Sequence, residues 1–222
     1  MSNDGDALPH PSFSSSVFVN CPFDEKYKSL LRPLLFTLIY LGQKPRIASE
    51  RLDSAENRVD KICELIHASK FSIHDLSRLK SSQKEEFYRL NMPFELGIDY
   101  GARRYGSHEL SKKRCLILEK NSYEYKIALS DLSGVDIKSH SNQPDEIVRV
   151  VRDWFYETAG LTDSDYPKVI WNKFNDFQTY LFDSRYVDGL NEEEITEDIE
   201  RMPVSEYMDS VSEWVDDGAT IN

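Results

Sequence analysis

The sequence predicts an open, mostly parallel α/β sheet with helices on both faces, and three observations carry the prediction. Short β-branched and aromatic runs alternate along the chain with stretches of helical spacing. The 222 residues are 40% hydrophobic, enough to bury one core with an elaboration. No internal repeat of fixed period competes with that reading.

The elements follow in order. Residues 1 to 15 carry acids, prolines and a serine run and read as a disordered lead-in. Ser16-Val17-Phe18-Val19-Asn20 is the first strand, and a helix runs from Asp24, its N-cap, to about Leu41. Pro45 to Ala48 is a second strand, and Ala55 to Ser69 places Val59, Ile62, Cys63 and Ile66 at helical spacing. Phe71 to His74 is the third strand. Leu79 to Leu90 is polar and charged without clear period and reads as a loop or lid. Pro93 opens a helix to about Arg104, because proline fits a first helical position. Cys115 to Leu118 is the fourth strand. A short helix near Tyr123 to Leu129, a fifth strand around Val135 to Ile137 and a helix from Pro144 to about Thr158 complete the series. Five such units imply a flavodoxin-like order, in which ligands sit outside the carboxyl ends of the strands. The expected functional positions are therefore Asn20 to Asp24, Ser49 to Arg51, His74 to Arg78, and Glu119 to Lys120.

Charge divides the chain. Lys and Arg number 27 against 39 Asp and Glu, a net charge of −12, which disfavours general nucleic-acid binding. From Leu161 onward there are sixteen acids and four bases, so the whole excess lies there, and residues 1 to 160 are balanced. Residues 16 to 160 are thus the expected α/β domain, and 161 to 222 an acidic helical extension. In that extension Trp171, Phe174, Phe177, Tyr180 and Phe182 recur close to one helical face, which packs on the core, while the last segment reads as a solvated acidic tail or a partner-binding element. Cys21, Cys63 and Cys115 are far apart and odd in number, against a disulfide framework or a zinc site. No signal-peptide pattern and no bilayer-length apolar stretch occurs, so a cytoplasmic protein without membrane contact is expected.

Three strand ends carry candidate chemistry. Glu95, in Asn91-Met92-Pro93-Phe94-Glu95-Leu96-Gly97, is a carboxylate in a first helical turn beside apolar neighbours. The helix terminus alone explains an acid there, but the apolar flank suits a nucleophile or a base of raised pKa. In Ile73-His74-Asp75-Leu76-Ser77-Arg78, Asp75 can hydrogen-bond sugar hydroxyls, Ser77 can donate to phosphate and Arg78 can pair with it; the plain alternative is a capped turn beside a core histidine. Asn20-Cys21-Pro22-Phe23-Asp24 lacks the glycines of a dinucleotide loop, yet its polar groups can contact a base or ribose. The Lys112-Lys113-Arg114 cluster reads as a solvated helix end or as help for an anionic ligand.

Taken together, Val17 to Asn20, Asp75-Leu76-Ser77 and Phe94-Glu95-Leu96-Gly97 resemble the superfamily uniting nucleoside 2-deoxyribosyltransferases with Toll/interleukin-1 receptor (TIR) domains. More specifically, the motifs at 20 to 24, 73 to 78 and 91 to 97 look like those of a bacterial TIR-like group, over about Ser16 to Phe155. The resemblance implies an N-glycosidase with Glu95 as catalytic carboxylate and Asn20, Cys21, Asp75, Ser77, Arg78 and Asn91 around the substrate. It implies NAD as substrate rather than as cofactor, no metal, and a role in antiphage defence. A nucleoside or deoxynucleotide glycosidase or deoxyribosyltransferase, and a non-catalytic nucleotide-sensing or assembly module, are the alternatives. A homo-oligomer or a regulatory partner bound through the C-terminal extension accompanies the leading expectation.

Overall fold

The structure is a computed structural model that describes residues 12–50, 53–78, 90–187 and 189–219. Its centre is a five-stranded, all-parallel sheet in the order β2-β1-β3-β4-β5, the flavodoxin-like order. The strands are β1 (Ser16–Asn20), β2 (Lys44–Arg46), β3 (Phe71–Asp75), β4 (Arg114–Glu119) and β5 (Lys138–Ser139). The helices are α1 (Lys28–Tyr40), α2 (Arg58–His67), α3 (Asn91–Tyr105), α4 (Pro144–Trp154), α5 (Pro167–Val187), α6 (Glu192–Arg201) and α7 (Val204–Asp216).

Alternation along the buried strands gives the sheet two unlike faces. Val17, Val19, Phe71, Ile73, Leu116 and Leu118 point one way, into the cluster formed with α1, α4, α5 and α7. Phe18 points the other way, onto Ala48 and onto Ile62, Leu65 and Ile66 of α2. Ser72 and His74 share that second face and reach α3, so it carries a polar stripe.

Local chemistry sets the boundaries. The Asp24 side chain accepts the Tyr27 N–H at 3.2 Å and caps a 3₁₀ turn, Glu25–Tyr27, that continues into α1. The Asn57 side chain accepts from Val59 and Asp60 and starts α2 three residues later than expected. Pro93 is the third residue of α3 rather than its first; the first four N–H groups have no intrahelical partner, so proline costs nothing there. Gly160, at φ +73°, ends the π turn Phe155–Ala159 that follows α4.

Several expectations need correction. The fifth strand is not Val135 to Ile137 but the two residues Lys138–Ser139, paired with Leu118 and Glu119. Val135 is exposed, and Ile137 packs on the cluster of Leu76, Leu96, Ile117 and Tyr125, so these apolar residues belong to the loop instead of extending the ladder. Of the expected lead-in, residues 1–11 lie outside the described residues. Phe13–Ser15 forms a 3₁₀ turn held by the buried Phe13 ring and by Lys70 N–H donating to Phe13 O at 3.1 Å. The loop or lid expected at Leu79 to Leu90 falls, apart from Leu90, outside the described residues.

The last segment is not a solvated tail. Asn191 forms a capping box with Glu194 at the start of α6, and α6 and α7 bury Ile195, Tyr207, Val211 and Trp214. Trp214 packs against Phe36 of α1 at 6.0 Å between ring centroids and against Phe177 of α5 at 5.6 Å. Lys28 donates to Glu200 O at 2.5 Å, and Arg32 donates to Ile199 O while lying over the Tyr207 ring. These cations satisfy carbonyls at the end of α6, where the helix dipole favours positive charge.

Trp214→Ala should therefore lower stability by about 3–5 kcal/mol, as for a buried aromatic in a core. Urea unfolding measures it; a loss under about 1 kcal/mol would show that α7 is not part of the core.

Candidate functional site

The carboxyl ends of β1 and β3, the segment after β5 and the start of α1 meet at one edge of the sheet. Asp75, the last residue of β3, is fully buried there and accepts from four donors. The Tyr27 hydroxyl and His140 Nε2 (3.1 Å) reach Oδ2, and the Ser77 N–H (2.7 Å) and hydroxyl reach Oδ1. His140 Nδ1 accepts the Asn142 N–H at 3.1 Å, which leaves the ring proton on Nε2, facing Asp75 and Ser77 Oγ at 2.8 Å. Burial pushes the Asp75 carboxyl up, but the hydrogen bonds from His140, Ser77 and Tyr27 overcome it, and the net shift is downward. The Tyr27 hydroxyl is raised well above its ordinary value by burial and by Asp75.

The polar stripe forms a second network. Asn20 and His74 are register partners on β1 and β3, and Asn20 Nδ2 donates to His74 Nδ1 at 3.0 Å and to Met92 O at 3.0 Å. His74 Nε2 therefore carries the proton and donates to Asp99 Oδ2 at 3.2 Å, which also accepts from Ser72 Oγ. Asp99 Oδ1 pairs with Lys113 Nζ at 3.1 Å. Burial opposes the Asp99 charge, yet His74, Lys113 and Ser72 outweigh it and hold the carboxyl low.

Glu95, on α3 one turn after Met92, is treated differently. It is 4% exposed, and its charged partner is Arg58 Nη2 at the start of α2, 3.9 Å away, beyond hydrogen-bond reach. Burial raises its carboxyl to about 7, with Arg58 offsetting only part of the shift. Cys21 lies between the networks: burial raises its thiol well above the ordinary value, and the charges of Asp75, Glu95 and Asp24 add to that. It is a protonated, fully buried group rather than a nucleophile.

The remaining expected residues divide clearly. Ser77 belongs to the Asp75 network. Arg78 pairs with Asp24 rather than standing open, and Asn91 is exposed in the first turn of α3. Glu119 is buried and accepts the N–H groups of Tyr123 (2.5 Å) and Tyr125 (3.2 Å), which makes it a loop cap. Lys113 is not a solvated base at the ligand edge. It is 1% exposed and donates to Ile66 O at 2.8 Å and to Ser69 O, below the amino end of β3.

Among the described residues, His74, Asp99 and Cys115 offer ligand atoms within 4.8 Å of one another. The Lys113 ammonium already neutralises Asp99, and burial raises the Cys115 thiol to about 12, so the trio suits a structural ion pair better than a metal. A cavity of about 580 Å³ flanks α3, lined by Leu96, Gly97, Tyr100, Arg103 and Ile117 and not by Glu95.

Sequence reasoning missed Tyr27, Arg58, Asp99, Lys113 and His140 as parts of these networks. Asp99 carried a usable signal, since it stands one turn after Glu95 on the same helix face. His140 carried none, because it follows a strand of two residues. Comparisons with family models, with curated proteins and with solved structures return no match.

The Glu95 environment makes stability depend on pH. Between 4.5 and about 7 the folded chain keeps a proton that the unfolded chain has released, so stability falls as pH rises through that window. At 1.36 kcal/mol per unit the loss is at most about 3 kcal/mol. Urea unfolding at about pH 5 and about pH 8 should show a steeper loss in the wild type than in Glu95→Gln, which cannot ionise. Equal losses would mean that Glu95 is not held in a desolvated state.

Proposed function

We propose that the chain is a nucleotide N-glycosidase that cleaves NAD at its nicotinamide bond, with Glu95 as the catalytic carboxylate. One observation carries the reading. Of the buried carboxylates on α3 and at the strand ends, Asp75, Asp99 and Glu119 accept hydrogen bonds from neighbouring groups, whereas among the described residues Glu95 faces only a distant guanidinium. An anion held that way stabilises a positive charge brought to it far better than it would in water.

Glycosidic cleavage supplies that charge, because the sugar passes through an oxocarbenium-like state at C1′. Ionised Glu95 stabilises C1′ electrostatically or adds to it. The electrons of the breaking C–N bond stay with the ring nitrogen, so the pyridinium of NAD leaves as neutral nicotinamide. Water then adds to C1′ and releases ADP-ribose and a proton. Nicotinamide needs no proton to depart, which suits a site with one poised carboxylate, whereas a purine leaving group calls for a second, acidic residue.

The motif resemblance supports the same reading and carries a role in antiphage defence with it. Three cysteines without a disulfide suit a reducing cytoplasm. Assembly or regulation through the acidic helices α6 and α7 is the accompanying proposal. No helix among the described residues is long and apolar enough to cross a membrane.

Purified protein incubated with NAD should release nicotinamide, and Glu95→Gln should reduce the rate by at least about a hundredfold, the scale of losing one electrostatic stabiliser. Because the ionised form acts, kcat/KM should rise with pH and level off above about 7. Saturable binding without product would favour the sensing module. Release of free base from nucleosides or deoxynucleotides, but not from NAD, would favour the alternative substrates.

A further inference from the structure

The polar stripe ends in an acceptor that has no donor among the described residues. Asn20 is 1% exposed, and its Oδ1 has no hydrogen-bond partner among the described residues. Native proteins leave few buried polar atoms in that state, and such an atom calls for a ligand or an ordered water. The amide cannot be turned over to cure the defect. Its Nδ2 gives one hydrogen to His74 Nδ1 and the other to Met92 O, each at 3.0 Å. Exchanging the two atoms would set Oδ1 against the Met92 carbonyl, acceptor against acceptor.

Each link behind Asn20 fixes the next. Lys113 donates to the carbonyls of Ile66 and Ser69 and pairs with Asp99. Asp99 accepts the His74 Nε2 proton, which leaves His74 Nδ1 able only to accept. Asn20 is therefore held with its nitrogen on His74 and Met92, and its oxygen is left without a partner among the described residues at the carboxyl end of β1. Another buried oxygen without a hydrogen-bond partner among the described residues, Ser49 Oγ, follows the end of β2, the parallel neighbour of β1.

Asn20 Oδ1 can only accept, so its ligand must bring an N–H or O–H. Met92, which holds the amide, lies one helical turn before Glu95, so the donor belongs beside the carbon that Glu95 acts on. In a ribonucleotide the hydroxyl next to C1′ is the 2′-OH. We infer that Asn20 Oδ1 accepts the 2′-hydroxyl of the ligand's ribose and makes the site selective for ribonucleotides over 2′-deoxyribonucleotides. His74, Asp99 and Lys113 are positioning residues that fix the amide. The inference rests on the glycosidase reading of the Glu95 site.

Calorimetry with Glu95→Gln, which binds without turnover, should show nicotinamide mononucleotide binding about tenfold or more tightly than its 2′-deoxy analogue, because the analogue leaves the acceptor unpaired. Adding His74→Leu should bring the ratio close to one with little change for the deoxy ligand. His74→Gln, whose amide can still accept from Asn20, should restore part of it. A change in stability alone would not move that ratio. Nitrogen-15 spectra of the wild type should show His74 as the Nε2–H tautomer. Equal affinities for the two ligands, binding of neither, or an Nδ1–H tautomer would overturn the inference. Discrimination in binding without nicotinamide release from the wild type would sink the glycosidase reading and leave the role of Asn20 standing. Equal release from both sugars would do the reverse.

Discussion

A carboxylate taken out of water keeps its charge only where donors replace the lost solvent, and that constraint organises the polar half of this fold. Asp75 gathers a tyrosine, a serine and a histidine from three separate segments of the chain. Asp99 gathers a serine, a histidine and a lysine, which joins α3 to β3 and to the residue preceding β4. Both networks fix strand ends and helix starts relative to one another, beside a carboxylate, Glu95, for which the described residues supply no such cage. Glu95 is thus a local cost inside a frame made rigid elsewhere, a common arrangement at reactive positions.

Much of the architecture could be read from the sequence because its signals are local. Val17 to Val19, Phe71 and Ile73, and Cys115 to Leu118 supply β-branched or apolar residues, and each set lies in a strand. Asp24 caps where its type and place suggested. Long-range partners were not legible. Lys113 sits in a basic triplet whose composition suggests solvent, and only the approach of Ile66, Ser69 and Asp99 makes it interior. His140 reaches Asp75 across 65 residues of chain from a strand too short to leave a pattern.

One signal for the C-terminal packing was present in the first helix rather than in the last. Residues Leu30, Leu31, Leu34, Leu35, Phe36 and Leu38 are buried around the whole of α1. A helix apolar on every side needs cover on every side, and the sheet can cover only one. The aromatic residues of α5 and α7 supply the rest: Phe174, Phe177, Tyr207 and Trp214 complete the core that α1 began. The acidic excess on α6 and α7 is therefore the outer surface of an integral layer. The same layer reaches Lys28 and Arg32, in the turn of α1 that follows Tyr27 and its bond to Asp75.

The sheet's two margins also limit how copies of the chain can meet. At one margin β2 is three residues long with Pro45 at its middle, and at the other β5 is two residues long. A proline offers no backbone donor, and so short a ladder offers little template for another strand. Joining sheets edge to edge is thereby discouraged at both ends, which protects the chain against strand-mediated aggregation and leaves helical surfaces as the route for any ordered assembly.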